Sequence, residues 1–221
     1  MPPVYLRNGA KYGRIEASEA KNMDTLDFIL KRYNLTLNEN QFLVPLRHSR
    51  WREMPLLFKD LGFTKGVEVG VYRGRFSTTL CAPNPDLALI GVDAWDAYDE
   101  YKDYDAEDME NAFFTAKERT RGYNIALLRE YSLEASKRFA DESLDFVFID
   151  ANHDYEYAVN DIAAWSKKVR KGGLVCGHDY VVNTEFNFGV IEAVNGWCAS
   201  HHIKPLFLWR DKCPSWMYVK E

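Results

Sequence analysis

The stretch Val67-Glu68-Val69-Gly70-Val71-Tyr72-Arg73-Gly74-Arg75-Phe76-Ser77 decides the fold of this 221-residue chain. It reads as a short buried strand, a glycine turn and the first turn of a helix. Gly70 can take backbone angles closed to other residues, and Gly74 lets the loop or a ligand approach closely. Backbone N–H groups at such a turn face a ligand, and a helix N-terminus favours polar or anionic groups. Glu68, still on the strand, points away from a phosphate binder and towards a ligand carrying positive charge.

From this turn to the C-terminus, strand and helix patterns alternate. Strands are expected at 66–69, 87–92, 125–128, 144–149, 173–176, 205–209 and 216–220. Helices are expected at 75–81, 106–119, 133–139, 155–169 and 188–201. The alternation predicts an α/β domain with a mostly parallel sheet covered by helices on both faces. The helix with the clearest stripe carries Tyr155, Ala158, Val159, Ile162, Trp165 and Val169, and stops at Lys171-Gly172-Gly173. Only a short connection, Asp211–Pro214, joins the last two strands, which predicts an antiparallel pair at one side of the sheet. Residues 1–61 form a separate N-terminal extension with helical patterning at 19–33 and 50–61. Ser49 is the expected cap of its second helix, with Pro55 in or near the first turn.

Composition narrows the function. With 47% apolar residues the chain can build a full single-domain core. The net charge of −5 argues against a nucleic-acid backbone as partner. No apolar run approaches a membrane span and no signal-peptide pattern opens the chain, so a soluble, cytoplasmic protein is expected. Cys81, Cys176, Cys198 and Cys213 show no metal or disulfide spacing and read as reduced thiols. The Asn34-Leu35-Thr36 sequon carries no meaning without secretion.

Ligands of an open α/β sheet bind beyond the carboxyl ends of its strands. Glu68 and Gly70, Asp93, Asp150, and His178 with Asp179 all follow strands in this way. A carboxylate at Asp93, about two dozen residues beyond Gly70, suits the two hydroxyls of a ribose. A Gly-x-Gly-x-x-Gly count from Gly70 fails at Tyr72 and Arg75, which disfavours an NAD-binding protein. Asp150 is the surest site residue, because an acid at the end of a buried strand needs a partner to offset its desolvation. The Asp93–Glu110 stretch, with Trp95, Tyr98, Tyr101 and Tyr104, reads either as an aromatic wall for a polar ligand or as rings packed on the sheet edge. Arg73 and Arg75 read as solvated or paired with nearby acids rather than bound to phosphate.

The ordered set Glu68-Val69-Gly70-Val71-Tyr72-Arg73-Gly74, Val92-Asp93, Asp145–Asp150 and Lys171-Gly172-Gly173 resembles the motifs of class I S-adenosylmethionine-dependent methyltransferases. The resemblance spans residues 62–221 and departs at Tyr72, where the family usually has glycine. It implies a Rossmann-like, doubly wound sheet of seven strands, the last antiparallel. It also implies S-adenosylmethionine as cofactor, with Glu68 and Gly70 at its methionine end, Asp93 on its ribose, Ser132 near its adenine, and Tyr72, Gly74 and Ser77 among the cofactor-binding residues. Asp150 borders the same site.

Ile149-Asp150-Ala151-Asn152-His153-Asp154-Tyr155 and Gly177-His178-Asp179-Tyr180 resemble the small-molecule O-methyltransferase branch, including macrocin-type sugar enzymes and, more distantly, catechol O-methyltransferase. That resemblance implies a hydroxyl acceptor on a sugar or other small molecule, and a divalent cation, Mg2+ or Mn2+, held by Asp150, His178 and Asp179. His178 stands where the sugar enzymes carry an acid; imidazole suits softer ions or serves as a general base. His178, His153, Asp150 and Asp179 are therefore the candidate catalytic residues. Residues 1–61 are expected to cover the site or to form a homodimer contact. Other readings are a methyltransferase for protein or nucleic acid, although no Asn/Asp-Pro-Pro-Tyr motif follows the strand at 144–149, and a nucleotide-binding module.

Overall fold

A computed structural model describes residues 23–97, 105–183 and 188–221. Its elements are α1 (Thr25–Arg32), β1 (Leu43–Leu46), α2 (Arg50–Asp60), β2 (Lys65–Val69), α3 (Arg75–Cys81), β3 (Ala88–Asp93), α4 (Ala106–Thr120) and β4 (Ile125–Arg129), then α5 (Ser132–Ser136), β5 (Leu144–Ile149), α6 (Tyr155–Ser166), β6 (Val169–Gly177), α7 (Val190–Ser200), β7 (Leu206–Trp209) and β8 (Trp216–Val219). They build one eight-stranded sheet in the order β1-β7-β8-β6-β5-β2-β3-β4. Only β8 runs antiparallel, wedged between β6 and β7. The fold is the expected doubly wound, Rossmann-like sheet.

The count of seven strands is corrected to eight. The additional strand is β1, which pairs in parallel with β7 from Leu43↔Leu206 to Leu46↔Trp209. Val44 and Leu46 are buried while Leu43 is exposed, a period-two pattern too short to stand out between two helices. Pro45 is tolerated because β1 is an edge strand, where a missing N–H breaks no ladder. The N-terminal segment thus supplies a strand to the main sheet as well as helices.

Strand alternation sorts the core onto two faces. Phe146 and Phe148 of β5 pack with Phe58 of α2, Phe63 and Phe76 of α3 on one side. Val147 and Ile149, with Val67 and Val69 of β2, pack on the other side against Ile162 and Trp165 of α6 and Val194 of α7. Ala158, Ile162 and Trp165 recur at helical spacing, which is why α6 lies flat on the sheet. The stripe ends sooner than its pattern: Tyr155 is exposed, and α6 stops at Ser166. Val169 already belongs to β6, whose ladder with β5 shifts register between Leu144 and Phe146. Gly172, at φ +69°, carries the chain through that irregularity.

Two local expectations at α2 are corrected. Ser49 stands at the N-cap but makes no side-chain cap; its hydroxyl donates to Asp211 Oδ1 at 2.6 Å. Asp211 Oδ2 accepts the Arg50 N–H at 3.0 Å, so an acid from the β7–β8 connection caps the helix instead. Pro55 lies inside α2, beyond its first turn, and its ring is buried in the core.

Candidate active site

The turn after β2 is built around three positive-φ residues, Gly70 (+90°), Tyr72 (+50°) and Gly74 (+69°). Tyr72 therefore takes the left-handed conformation that glycine usually supplies. Its backbone is held from both sides: its N–H donates to Asp93 Oδ2 at 2.8 Å, and its carbonyl accepts from Trp95 Nε1 at 2.7 Å. Asp93 also accepts the Val71 N–H at 2.9 Å and, through Oδ1, the Trp95 N–H at 2.8 Å. Burial raises the Asp93 pKa against these three backbone donors. Trp95 is core, 1% exposed, and no wall; Tyr98, Tyr101 and Tyr104 lie outside the described residues.

Glu68 is buried beneath the turn and accepts a hydrogen bond from the Ser77 hydroxyl. Burial pushes its pKa up to about 8, with Ser77 pulling the other way. Asp150 follows β5, and its N–H donates to the Val69 carbonyl at 2.7 Å, which ties the ends of β2 and β5 together. Its carboxylate meets Arg50 Nη1 at 3.6 Å, His178 Nδ1 at 3.5 Å and His153 Nε2 at 3.8 Å. Burial raises its pKa, but the two histidines and Arg50 outweigh that and hold it well below the usual carboxylate range.

Asp179, at φ +53°, takes the same two rings, His153 Nε2 at 3.0 Å and His178 Nδ1 at 3.1 Å. Burial acts to raise Asp179, yet the histidines bring it down to about 2. Burial likewise acts to lower both imidazoles, and the paired carboxylates override it, lifting His153 and His178 to about 9. Each carboxylate thus favours the charged form of the imidazoles and each imidazole that of the carboxylates.

A cavity of about 640 Å3 opens over these strand ends. Glu68, Gly70, Tyr72, Asp93, Ser132, Asp150 and His153 line it, as the sequence led us to expect of one site. Other expected residues stand behind the wall. Ser77 acts through Glu68. Gly74 presses on α4 instead, where an added Cβ would lie 3.2 Å from Thr120 Cγ2. Ser132 lines the cavity, but its hydroxyl donates to Asp161 and accepts from Trp165 Nε1 at 2.8 Å. His178 is set back from the main cavity, beside a small one under the Ala151–His153 loop.

The donor atoms of Asp150, His153 and Asp179 lie within 4.8 Å of one another. His153 thus takes the place in the three-donor group that the sequence reading had given to His178. It follows Asp150 by three residues, and the loop carries its ring back over that carboxylate. Two carboxylates and one imidazole fit a divalent cation of the Mn2+ kind better than Mg2+, which prefers oxygen alone. The cavity volume falls in the range of small-molecule sites, and the buried Glu68 and the glycine turn fit an aminoacyl nucleoside such as S-adenosylmethionine.

Arg50 and Trp51 of α2 and Arg119 of α4 also line the cavity and escaped the sequence reading. A signal for Arg50 existed: it shares the helical stripe of Met54, Leu57 and Phe58, where a charge marks a buried, employed cation. It is 4% exposed and packs over the rings of Trp51 (4.9 Å), Phe76 (4.7 Å) and Phe148 (5.3 Å).

Comparison with known proteins places the family and the fold. A methyltransferase-domain family model matches residues 67–180, from β2 to just past β6. An uncharacterized protein, R132, of Acanthamoeba polyphaga mimivirus is 30% identical over 119 residues, covering 52% of this chain and 50% of that protein. The chain thus spans half the length of that curated relative. Among solved structures, a candidate caffeoyl-CoA O-methyltransferase from Staphylococcus aureus superposes with a TM-score of 0.59 at 13% identity, over 89% of this chain and 90% of that one. An O-methyltransferase family protein from Burkholderia thailandensis gives 0.55 at 12% identity, over 77% of this chain and 56% of that one. The S-adenosylhomocysteine-bound methyltransferase PaMTH1 of Podospora anserina gives 0.55 at 14% identity, over 78% of each chain. These likenesses describe the fold, and the match over residues 67–180, more than half of the sequence, describes the lineage: the chain belongs to the methyltransferase-domain family.

Proposed function

We propose that this chain transfers the methyl group of S-adenosylmethionine to a hydroxyl of a small molecule, with a sugar or glycan unit as the acceptor class and a divalent cation assisting. One observation carries the reading. The turn and its carboxylates, Glu68 and Asp93, share a cavity with a histidine–carboxylate cluster at the neighbouring strand end.

The cofactor, when bound, supplies an electrophilic methyl on a sulfonium. Glu68 offers a carboxylate to its ammonium, and Gly70 leaves the backbone bare beside it. Asp93 holds the turn through three N–H groups while facing the cavity where a ribose would lie. A hydroxyl is a poor nucleophile until its proton leaves. A cation held by Asp150, His153 and Asp179 would supply Lewis acidity to that hydroxyl. Asp150 and Asp179 stay ionised at neutral pH, as ligands of such a cation must, while His178 orients both from behind and the acidified proton would leave to solvent.

Titration calorimetry with S-adenosylmethionine and S-adenosylhomocysteine tests the reading. Micromolar binding that Asp93→Asn weakens at least tenfold is expected; no binding of either nucleoside would overturn it.

A further inference from the structure

The charge around the cavity is divided. Glu68, Asp93 and Asp150 form its floor, while Arg73, Arg75 and Arg119 stand exposed along its lining with a single exposed acid, Asp96, whose carboxylate accepts from the Tyr131 hydroxyl. Elsewhere most arginines are matched with acids: Arg32 with Asp60, Arg121 with Glu118, Arg129 with Glu110, Arg138 with Glu130 and Arg170 with Asp145, while the exposed Arg47 and Arg210 lie singly on the surface. Among the described residues, Arg73, Arg75 and Arg119 face no carboxylate within 4.0 Å. They are nonetheless placed. Arg73 lies over the Tyr72 ring at 4.9 Å, and Arg119 Nη1 donates to the Arg73 carbonyl at 2.6 Å. Arg75 lies over Trp51 at 5.0 Å, and Arg50 lies on the same ring at 4.9 Å. Arg50 is 4% exposed, and its Nε has no hydrogen-bond partner.

A protein with net charge −5 has therefore gathered four guanidinium groups at one cavity. Such groups favour planar oxyanions, which they bind with paired hydrogen bonds, and three of them are open to receive one. Arg50 already faces Asp150 at 3.6 Å, and the cofactor named above would bring a single carboxylate, too little charge for the other three arginines. A neutral sugar would leave them unmatched.

We infer that the methyl acceptor carries an anionic group, a carboxylate or a phosphate, and that Arg73, Arg75 and Arg119 receive it at the cavity with Arg50 behind them. This rests on the O-methyltransferase reading and narrows its acceptor class to hydroxyl compounds that carry an acidic group. A local positive field in an acidic protein would also draw such a substrate out of solution, faster at low salt.

Calorimetry on the whole chain tests the inference in two stages. S-adenosylhomocysteine and 5′-methylthioadenosine, which lacks the aminoacyl end, are titrated first. Phenyl phosphate and the neutral benzyl alcohol follow, into both the free and the S-adenosylhomocysteine-saturated protein. Phenyl phosphate is expected to bind at least tenfold more tightly than benzyl alcohol. Arg75→Gln with Arg119→Gln should erase that advantage while S-adenosylhomocysteine affinity stays within twofold. Equal binding of the two probes would overturn the inference, as would an advantage that survives the double variant. A double variant that loses S-adenosylhomocysteine but keeps 5′-methylthioadenosine would assign the arginines to the cofactor's carboxylate and also overturn it. Absence of nucleoside binding with phenyl phosphate still preferred would instead overturn the methyltransferase reading alone.

Discussion

The Asp150 carbonyl oxygen lies 2.0 Å from the point where a side chain at Gly70 would place its Cβ. That approach follows from the 2.7 Å hydrogen bond that joins the Asp150 N–H to Val69. Gly70→Ala must therefore push apart the ends of β2 and β5 and hold alanine at φ +90°. A loss of about 3 kcal/mol or more is expected from the steric and left-handed contributions together. Urea unfolding measures it, and a loss under about 1 kcal/mol would contradict the close approach.

Glu68 should release a proton when a cationic ligand binds. Its pKa of about 8 leaves it mostly neutral at pH 7, and an ammonium beside it favours the carboxylate. Affinity for S-adenosylmethionine should rise with pH up to about 8 and level off above it. Calorimetry in buffers of different ionisation enthalpy should show close to one proton leaving at pH 7. Glu68→Gln should remove both the proton release and the pH slope.

Asp161 is buried, and burial lifts its pKa to about 6 with only the Ser132 hydroxyl opposing. A folded-state pKa above the unfolded value means that the contribution of Asp161 to stability is fully present below about pH 4 and is lost as pH rises through about 6. Asp161→Asn keeps an acceptor for Ser132 without the charge. The variant should gain on the order of 2–3 kcal/mol over the native chain at pH 8 and little at pH 4, read by thermal unfolding at both.

Asp211 caps α2 from a distant loop by accepting from Ser49 Oγ and the Arg50 N–H. Asp211→Ala should cost about 1–2 kcal/mol, and Asp211→Asn, with one acceptor left, about half of that. A larger fall in S-adenosylhomocysteine affinity than in stability would show that α2 must be pinned for Arg50 and Trp51 to form the cavity wall.

The three-donor group predicts how a cation would be held. Mn2+ binding, followed by its paramagnetic resonance, should weaken at least tenfold in His153→Ala and less in His178→Ala, whose ring lies behind the carboxylates. The reverse order would restore His178 as the ligand, and activity indifferent to chelator would remove the cation from the reaction.

The sequence alone determined what is written in local spacing. The short apolar runs at β2, β3 and β5 and the alternation of strands with helices led to the parallel sheet. The chain also marked Glu68, Asp93, Asp150 and Asp179 as strand-end acids. Tyr72 looked like a defect in the turn because a motif records residue type, not backbone angle; its φ of +50° and its ties to Asp93 and Trp95 make it a substitute.

Only the tertiary structure decided which side chains meet. That β1 would dock beside β7 depended on an open sheet edge made by residues far along the chain. Arg50 reaches Asp150 across a hundred residues because α2 packs over β5 through Phe58, Phe146 and Phe148. Loop curvature likewise set His153 on the cavity and His178 behind it, and packing against α4 took Gly74 away from any ligand. Hydrophobic periodicity carries the direction of each element's buried face, but the crossing of distant elements is fixed by how those faces fill one core, and the site is assembled at those crossings.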